Sequence, residues 1–139
     1  MAHRPMSEII QGQKLLAFSP DATVQEACRA MHERRVGAVV VTDENRRPLG
    51  IFTGRDAVRC LANCADPAST TLRDMMTHKP HTLPPTAKAI EALRLMRDAG
   101  FRHVPVVHEG VVTGIVSRED FRGLEQDRLE EEIGLWERI

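Results

Sequence analysis

The stretch Gly50-Ile51-Phe52-Thr53-Gly54-Arg55-Asp56 returns further along the chain as Gly114-Ile115-Val116-Ser117-Arg118-Glu119-Asp120. Both copies hold a glycine, two apolar residues, a hydroxyl residue and an aspartate at the same spacing. The similarity extends upstream at a nearly constant offset. The upstream residues that recur include Pro20, Ala22, Glu26 and Met31, which match Pro85, Ala87, Glu91 and Met96. An internal repeat of this length predicts two copies of one structural unit.

Composition sets the class of protein. The chain has 139 residues, 19 of them basic and 20 acidic, with a formal net charge of −1. Balanced charge and the lack of tyrosine argue against nucleic-acid binding. No apolar run reaches the roughly 18 residues of a membrane span, and the N-terminus lacks a signal-peptide core. We therefore expect a cytoplasmic protein that binds neither nucleic acid nor a membrane.

The three cysteines are Cys28, Cys60 and Cys64. The spacing of Cys60 and Cys64 would place both thiols on one face of a helix. No histidine or second cysteine pair accompanies them, so we interpret the cysteines as reduced packing residues and expect no metal site.

Each copy reads as strand, helix, strand, strand, helix, which predicts an α/β (α+β) fold. In copy one, 14–18 is a short strand, and Thr23 with Glu26 forms a capping box before an apolar helical stripe. The β-branched run 37–41 is a buried strand. A return strand at 49–52 leads to Thr53, which opens a helix from Gly54 to about Ala62.

Copy two follows the same plan. Gly100 is placed to end a helix in a left-handed cap, and a hairpin joins strands at 104–107 and 111–116. The helical stripe of this copy consists of Ala89, Ala92, Leu93 and Met96.

These patterns divide the chain into 1–62, a linker at 63–71, a second copy at 72–123 and a last segment at 124–139. The last segment predicts an amphipathic helix, because three large apolar residues recur at helical spacing; a solvated tail is the alternative. Those residues are Leu129, Ile133 and Trp136.

A repeated unit of this kind, ending in glycine, two apolar residues, Ser or Thr, and Asp, closely resembles the CBS-domain pair, or Bateman module. Asp74-Met75-Met76-Thr77 resembles the family's entry motif, and Glu8-Ile9-Ile10 is a weaker version. His103-Val104-Pro105-Val106-Val107 matches the central strand, whereas copy one has Val40 where a proline is common. The resemblance covers about 7–123. It implies tandem CBS domains, two β-α-β-β-α repeats with pseudo-two-fold symmetry, in a stand-alone protein.

The resemblance also implies adenosine-containing ligands (AMP, ADP, ATP, and also NAD or S-adenosylmethionine) in clefts between the copies. A carboxylate such as Asp56 or Asp120 can accept hydrogen bonds from both ribose hydroxyls. Thr53 and Ser117, each at a helix start, would add a hydroxyl where a phosphate is also favoured. The same two motifs also fit plain helix caps, and the two roles are compatible.

Family geometry implies two sites. The first would contain Leu16, Ala17, Val36, Gly37, Ala38, Arg102, His103, Ile115, Ser117, Glu119 and Asp120. The second would contain Arg35, Ile51, Thr53, Arg55, Asp56, His81, Thr82 and Phe101. Arg102 and His103 occupy positions where a basic pair meets phosphate in the γ subunit of AMP-activated kinase; a solvated Arg and a surface His are the alternative. Arg55 departs from the small or polar residue common there, so it would either bind phosphate or close the pocket.

The leading functional hypothesis is a regulatory module that senses an adenosine-containing ligand and signals to an unknown partner protein. The alternative is a ligand-independent interaction or scaffold protein with the same fold. We expect no enzyme activity and no required cofactor, because the sequence offers no nucleophile–base pair, metal triad or glycine-rich phosphate loop.

A homodimer is also expected. The paired helices of a CBS module leave apolar faces that family members usually cover with a second module, and two-fold pairing lets one patch serve both chains. The candidate residues for this face are Val58, Leu61, Phe121 and Leu124, extended by the 124–139 helix.

Overall fold

The computed structural model describes residues 4–121, and these residues form two compact units. Unit 1 contains residues 4–14, 81–108 and 113–121; unit 2 contains residues 15–80 and 109–112. The compact units therefore differ from the sequence copies, since residues 4–14 lie in the first copy along the chain but join the unit that contains residues 81–108.

The described elements follow the repeat. In chain order they are α1 (Met6–Ile9), β1 (Ala17–Phe18), α2 (Val24–Arg34), β2 (Ala38–Thr42), β3 (Pro48–Thr53), α3 (Gly54–Ala62), α4 (Leu72–Met75), β4 (Thr77–His78), α5 (Ala89–Ala99), β5 (His103–His108) and β6 (Val111–Ser117). A 3₁₀ turn, Arg118–Asp120, follows β6. Within residues 4–121 the structure contains no helix that combines the length and apolarity a membrane crossing needs.

Unit 2 is built on a four-stranded sheet in the order β1-β2-β3-β4. Strand β1 is parallel to β2, and the other neighbours are antiparallel. Every residue of β2 is buried, which confirms the buried strand expected from its β-branched run. Strand β1 is shorter than predicted, because only Ala17 and Phe18 pair with β2.

The helices of unit 2 start where their capping residues predict. Thr23 Oγ1 accepts the Glu26 N–H at 3.1 Å, and Glu26 Oε2 accepts the Thr23 N–H at 3.3 Å. Helix α3 has the predicted bounds, Gly54 to Ala62. One face of these helices packs with β2 and β3 into a core that includes Val24, Ala27, Met31, Val39, Val41, Phe52, Cys60 and Leu72.

The cysteines differ from one another in environment. Cys60 is 1% exposed within the core of unit 2, and Cys28 packs against the same core. Burial raises the pKa of the Cys28 thiol, and the nearby Cys60 acts in the same direction. Cys64 is exposed and lies beyond the end of α3 with a φ of 56°. The spacing therefore does not place Cys60 and Cys64 on one helical face, because the helix ends before Cys64.

Unit 1 buries the apolar stripe of α5. Helix α5 ends at Gly100, whose φ of 76° confirms the predicted left-handed cap. Leu83 makes a single parallel bridge to Val106, at the place that β1 takes beside β2 in unit 2. The core of this unit includes Met6, Ala89, Ala92, Leu93, Met96, Val104, Val106, Val116 and Phe121.

The short helices α1 and α4 enter the two units through matching backbone hydrogen bonds. In unit 1 the Met6 N–H donates to the Ala87 carbonyl at 2.8 Å. In unit 2 the Leu72 N–H donates to the Ala22 carbonyl at 2.9 Å. Ala22 and Ala87 are equivalent positions of the repeat, so both units use one docking arrangement for an entry helix.

The end of repeat 2 differs from the expectation. The residues after Ser117 begin as the 3₁₀ turn, where the repeat predicts a helix. Phe121 is fully buried in the core of unit 1, so its predicted place on an exposed apolar face is wrong. Leu124 and the predicted helix at 124–139 lie outside the described residues.

A close approach explains the repeated glycine of the motif. A Cβ on Gly50 would lie 2.8 Å from the Thr77 carbonyl oxygen, next to β4. A Cβ on Gly114 would lie 2.8 Å from both Gln13 Oε1 and Ile10 Cβ, just after α1. The entry segment thus packs directly on the backbone of the repeat's last strand, which leaves no room for a side chain.

Gly50→Ala and Gly114→Ala should each lower the free energy of unfolding by about 1–3 kcal/mol, because the added methyl group overpacks this contact. Urea unfolding measures the change. Gly54→Ala is the matched control, since a Cβ there meets nothing within 4 Å. Equal stability in all three variants would contradict the close-approach explanation.

Candidate functional site

In repeat 1, Thr53 and Asp56 form a reciprocal cap at the start of α3. The Thr53 N–H donates to Asp56 Oδ2 at 3.0 Å, and the Thr53 hydroxyl donates to the same oxygen at 3.2 Å. The Asp56 N–H donates back to Thr53 Oγ1 at 3.4 Å. The helix-cap interpretation of this motif is therefore confirmed.

The other oxygen of Asp56 is also engaged. Arg59 Nη2 donates to Asp56 Oδ1 at 3.3 Å and to the Met75 carbonyl oxygen. The Asp56 side chain is only 9% exposed. Both carboxylate oxygens of Asp56 are thus held by groups of unit 2.

In repeat 2, Asp120 has a more open environment. Asp120 Oδ2 accepts the Ser117 N–H at 2.7 Å and the Ser117 hydroxyl at 3.4 Å. Asp120 is exposed, and among residues 4–121 no donor reaches its Oδ1 atom. Among the described residues, the cap therefore uses only one of the two Asp120 carboxylate oxygens.

Arg102 and His103 lie beside this carboxylate in unit 1. The Arg118 N–H donates to the Arg102 carbonyl at 2.8 Å, which joins the start of β5 to the 3₁₀ turn. Burial lowers the pKa of His103 and the Arg102 charge acts in the same direction, whereas the Glu119 and Asp120 carboxylates oppose them. At neutral pH, His103 is therefore an uncharged imidazole and Arg102 carries the positive charge.

The backbone N–H and carbonyl groups of Ile115, at a strand edge, are both hydrogen-bonded to the side chain of Gln13. The Ile115 N–H donates to Gln13 Oε1 at 2.8 Å, and Gln13 Nε2 donates to the Ile115 carbonyl at 2.9 Å. In unit 2, the equivalent Ile51 pairs instead with Thr77 of β4. A side-chain amide in unit 1 thus takes the place of a strand.

The residues of the second predicted site that belong to unit 1 also come together. His81 stacks on Phe101 with ring centroids 5.4 Å apart. Thr82 is exposed and is followed by Leu83, whose N–H donates to the Pro105 carbonyl at 3.1 Å.

The remaining predicted site residues lie in unit 2. Leu16 and Ala17 are at β1, and the Leu16 carbonyl accepts the Val40 N–H at 3.3 Å. Ala38 pairs with Thr53, and the neighbouring Gly37 carbonyl accepts the Gly54 N–H at 3.1 Å. The exposed members of this set are Arg35, Val36, Gly37 and Arg55. The segment 35–38 thus lies beside the start of α3.

Two residues of the site surroundings were missed by sequence reasoning. Arg59 follows Asp56 at a spacing that places both on one helical face, so its contact with Asp56 had a sequence signal. Gln13 had none, because it lies far from Ile115 along the chain. Within residues 4–121 there is no cluster of three or more His, Cys, Asp or Glu residues suited to a metal ion.

Comparison with known proteins agrees with the repeated architecture. The family model of the CBS domain matches residues 7–63 and 72–126. A CBS domain-containing protein of Arabidopsis thaliana is 39% identical over 104 residues, which are 74% of this chain and 19% of that protein. An uncharacterized protein of Methanopyrus kandleri is 34% identical over 113 residues, 80% of this chain and 58% of that protein. The chain therefore spans only part of the length of these relatives.

A solved structure of similar fold comes from Pyrobaculum aerophilum. It is a CBS domain protein complexed with AMP, with a TM-score of 0.82 and 26% sequence identity. The match covers 91% of this chain and 98% of that one.

Acidification should destabilise the fold through His103. The folded-state pKa is lower than the unfolded one, so the unfolded chain takes up the proton first as pH falls through about 6.5. The stability that the neutral His103 contributes is therefore fully present above that pH and decreases progressively below it. His103→Gln should reduce the difference in urea midpoint between pH 7.5 and pH 5.5.

The exposed His32 on α2 offers the control substitution, His32→Gln. An identical pH dependence in the wild type and His103→Gln would show that His103 is not the group responsible.

Proposed function

The chain belongs to the CBS-domain family, of which it carries a tandem pair, and we propose that it is a regulatory module that binds an adenosine-containing ligand through Asp120. Occupancy of this site is passed on to a partner protein. The known neighbour with AMP bound supports this class of ligand.

The observation that carries the proposal is the exposed Asp120 carboxylate. Its Oδ2 atom fixes the turn after β6, while Oδ1 can accept a ribose hydroxyl in a charge-assisted hydrogen bond. The cap and the ligand contact use different oxygens, so one residue can perform both roles.

Arg102 and His103 would contact the phosphate of such a ligand. Arg102 supplies a permanent positive charge, and the neutral His103 supplies one hydrogen-bond donor. A nucleotide should therefore bind more tightly than adenosine itself. We propose that the other residues implied for the first site also contact the ligand.

The second candidate function is a ligand-independent interaction module. The exposed apolar side chains of Val58 and Leu61 on α3 favour it, with exposed fractions of 64% and 71%. A thermal-shift screen with AMP, ADP, ATP, NAD and S-adenosylmethionine separates the two functions, because a ligand that binds only the folded state raises the melting temperature.

Asp120→Ala should weaken binding of the best ligand from this screen by about 1.5–3 kcal/mol, since it removes a charged hydrogen-bond acceptor. Asp120→Asn should weaken binding too, yet keep the cap, because its amide oxygen can still accept the Ser117 N–H. Isothermal titration calorimetry measures both affinities, and urea unfolding measures both stabilities.

Unchanged affinity in both variants, with lower stability in Asp120→Ala alone, would assign Asp120 to the helix cap only. Asp98 on α5 is exposed and outside the predicted sites, so Asp98→Asn controls for the loss of one negative charge.

We also propose that the Val58 and Leu61 face is covered by a second copy of the chain in a two-fold dimer. Leu61→Glu should then convert the dimer into a monomer, because a charge would be buried in the apolar contact. Light scattering at micromolar concentration measures the mass. Arg55→Glu, also exposed on α3, is the control, and a wild-type mass of one chain would contradict the proposal.

A further inference from the structure

The two repeats carry the same aspartate with different neighbours. Arg59 stands three residues after Asp56, whereas Gly123 stands three residues after Asp120. We propose that Arg59 withholds Asp56 from ligands, so that the chain binds one adenosine-containing ligand, at Asp120, instead of two. This inference rests on the proposed function and concerns its stoichiometry.

A ligand at Asp56 would have to break the contacts that Arg59 makes there. Its Nη2 atom contacts Asp56 Oδ1 at 3.3 Å and also donates to the Met75 carbonyl at the end of α4. The guanidinium therefore ties the first turn of α3 to the entry helix of unit 2. The Asp56 carboxylate is 9% exposed, so little of it faces solvent.

A ribose at Asp56 would replace this ionic hydrogen bond with hydrogen bonds from neutral hydroxyls. Because the carboxylate acceptor is ionised in both cases, both kinds of hydrogen bond are charge-assisted, and the exchange gives the ligand no stronger class of bond. The ligand would also have to displace Arg59 from the largely buried Asp56 carboxylate, which would leave the guanidinium without this partner. These costs oppose binding at Asp56, whereas no donor within residues 4–121 would have to be displaced from Asp120 Oδ1.

Arg59 explains closure of the second site better than Arg55 does. Sequence reasoning assigned the possible closure of this site to Arg55 because of its size. Arg55 is exposed at the start of α3, and the guanidinium that contacts Asp56 is that of Arg59. The residue that closes the site in repeat 1 is therefore Arg59, one helical turn after Arg55.

Calorimetric titration with AMP tests the inference. Wild-type protein should bind one AMP per chain, and Asp56→Asn should leave that affinity within about twofold. Arg59→Ala should raise the stoichiometry to two, with a weaker second event. In an Asp120→Asn background, Arg59→Ala should restore one weak site. Arg59→Lys, which keeps the positive charge on the same helical face, is the matched control and should stay at one.

Each of the other outcomes would overturn either the inference alone or the proposed function as well. Two AMP per wild-type chain would overturn the inference and leave the proposed function standing. Loss of binding in Asp56→Asn but not in Asp120→Asn would overturn both. Absence of AMP binding in the wild type and in every variant would overturn AMP binding at Asp120, and the inference with it.

A folded Arg59→Ala variant that still binds a single AMP would show that Arg59 does not close the site. Thermal melting establishes whether the variant is folded. If it is not, Arg59→Gln, which keeps the length of the side chain and removes its charge, takes its place, and the comparison of Asp56→Asn with Asp120→Asn in wild-type Arg59 protein still decides the stoichiometry.

Discussion

The close approach of an entry segment to the last strand of a repeat is the constraint on which the rest of this structure depends. At Gly50 and Gly114 the backbone has no space for a Cβ. The strands that contain these glycines end at Thr53 and Ser117, so the position of each carboxylate motif is set by packing three residues earlier. The glycine of the motif is therefore a packing requirement, and the aspartate is the group that it positions.

The aspartate of the repeated motif has a different environment in each repeat, because the neighbouring residues differ. The Asp56 carboxylate is buried and held through both oxygens, by Thr53 and by Arg59. The Asp120 carboxylate is exposed and uses one oxygen for the turn after β6. A repeated fold thus supplies one aspartate that is held within its unit and one exposed aspartate, for which we propose the binding role, without any change in the aspartate itself.

The edges of the two last strands show a similar divergence. In unit 2, Ile51 pairs with the backbone of β4, while in unit 1 the amide of Gln13 satisfies both backbone groups of Ile115. Both solutions meet the need to pair backbone groups at a strand edge. The second solution places a side chain, which a single substitution can remove, next to the Ser117 and Asp120 motif.

The sequence by itself determined the repeat, the class of fold, the start of α3 at Thr53 and the left-handed end of α5 at Gly100, because periodicity, capping and glycine preference act within a few residues of the chain. It also placed Arg102, His103, Ser117 and Asp120 in one candidate site, through family resemblance. Only the tertiary structure decided that residues 4–14 join unit 1, that Phe121 is buried, and that Arg59 also donates to the Met75 carbonyl. Each of these depends on contacts between segments that are distant along the chain or on how fully a side chain is enclosed, and local sequence patterns carry no record of either.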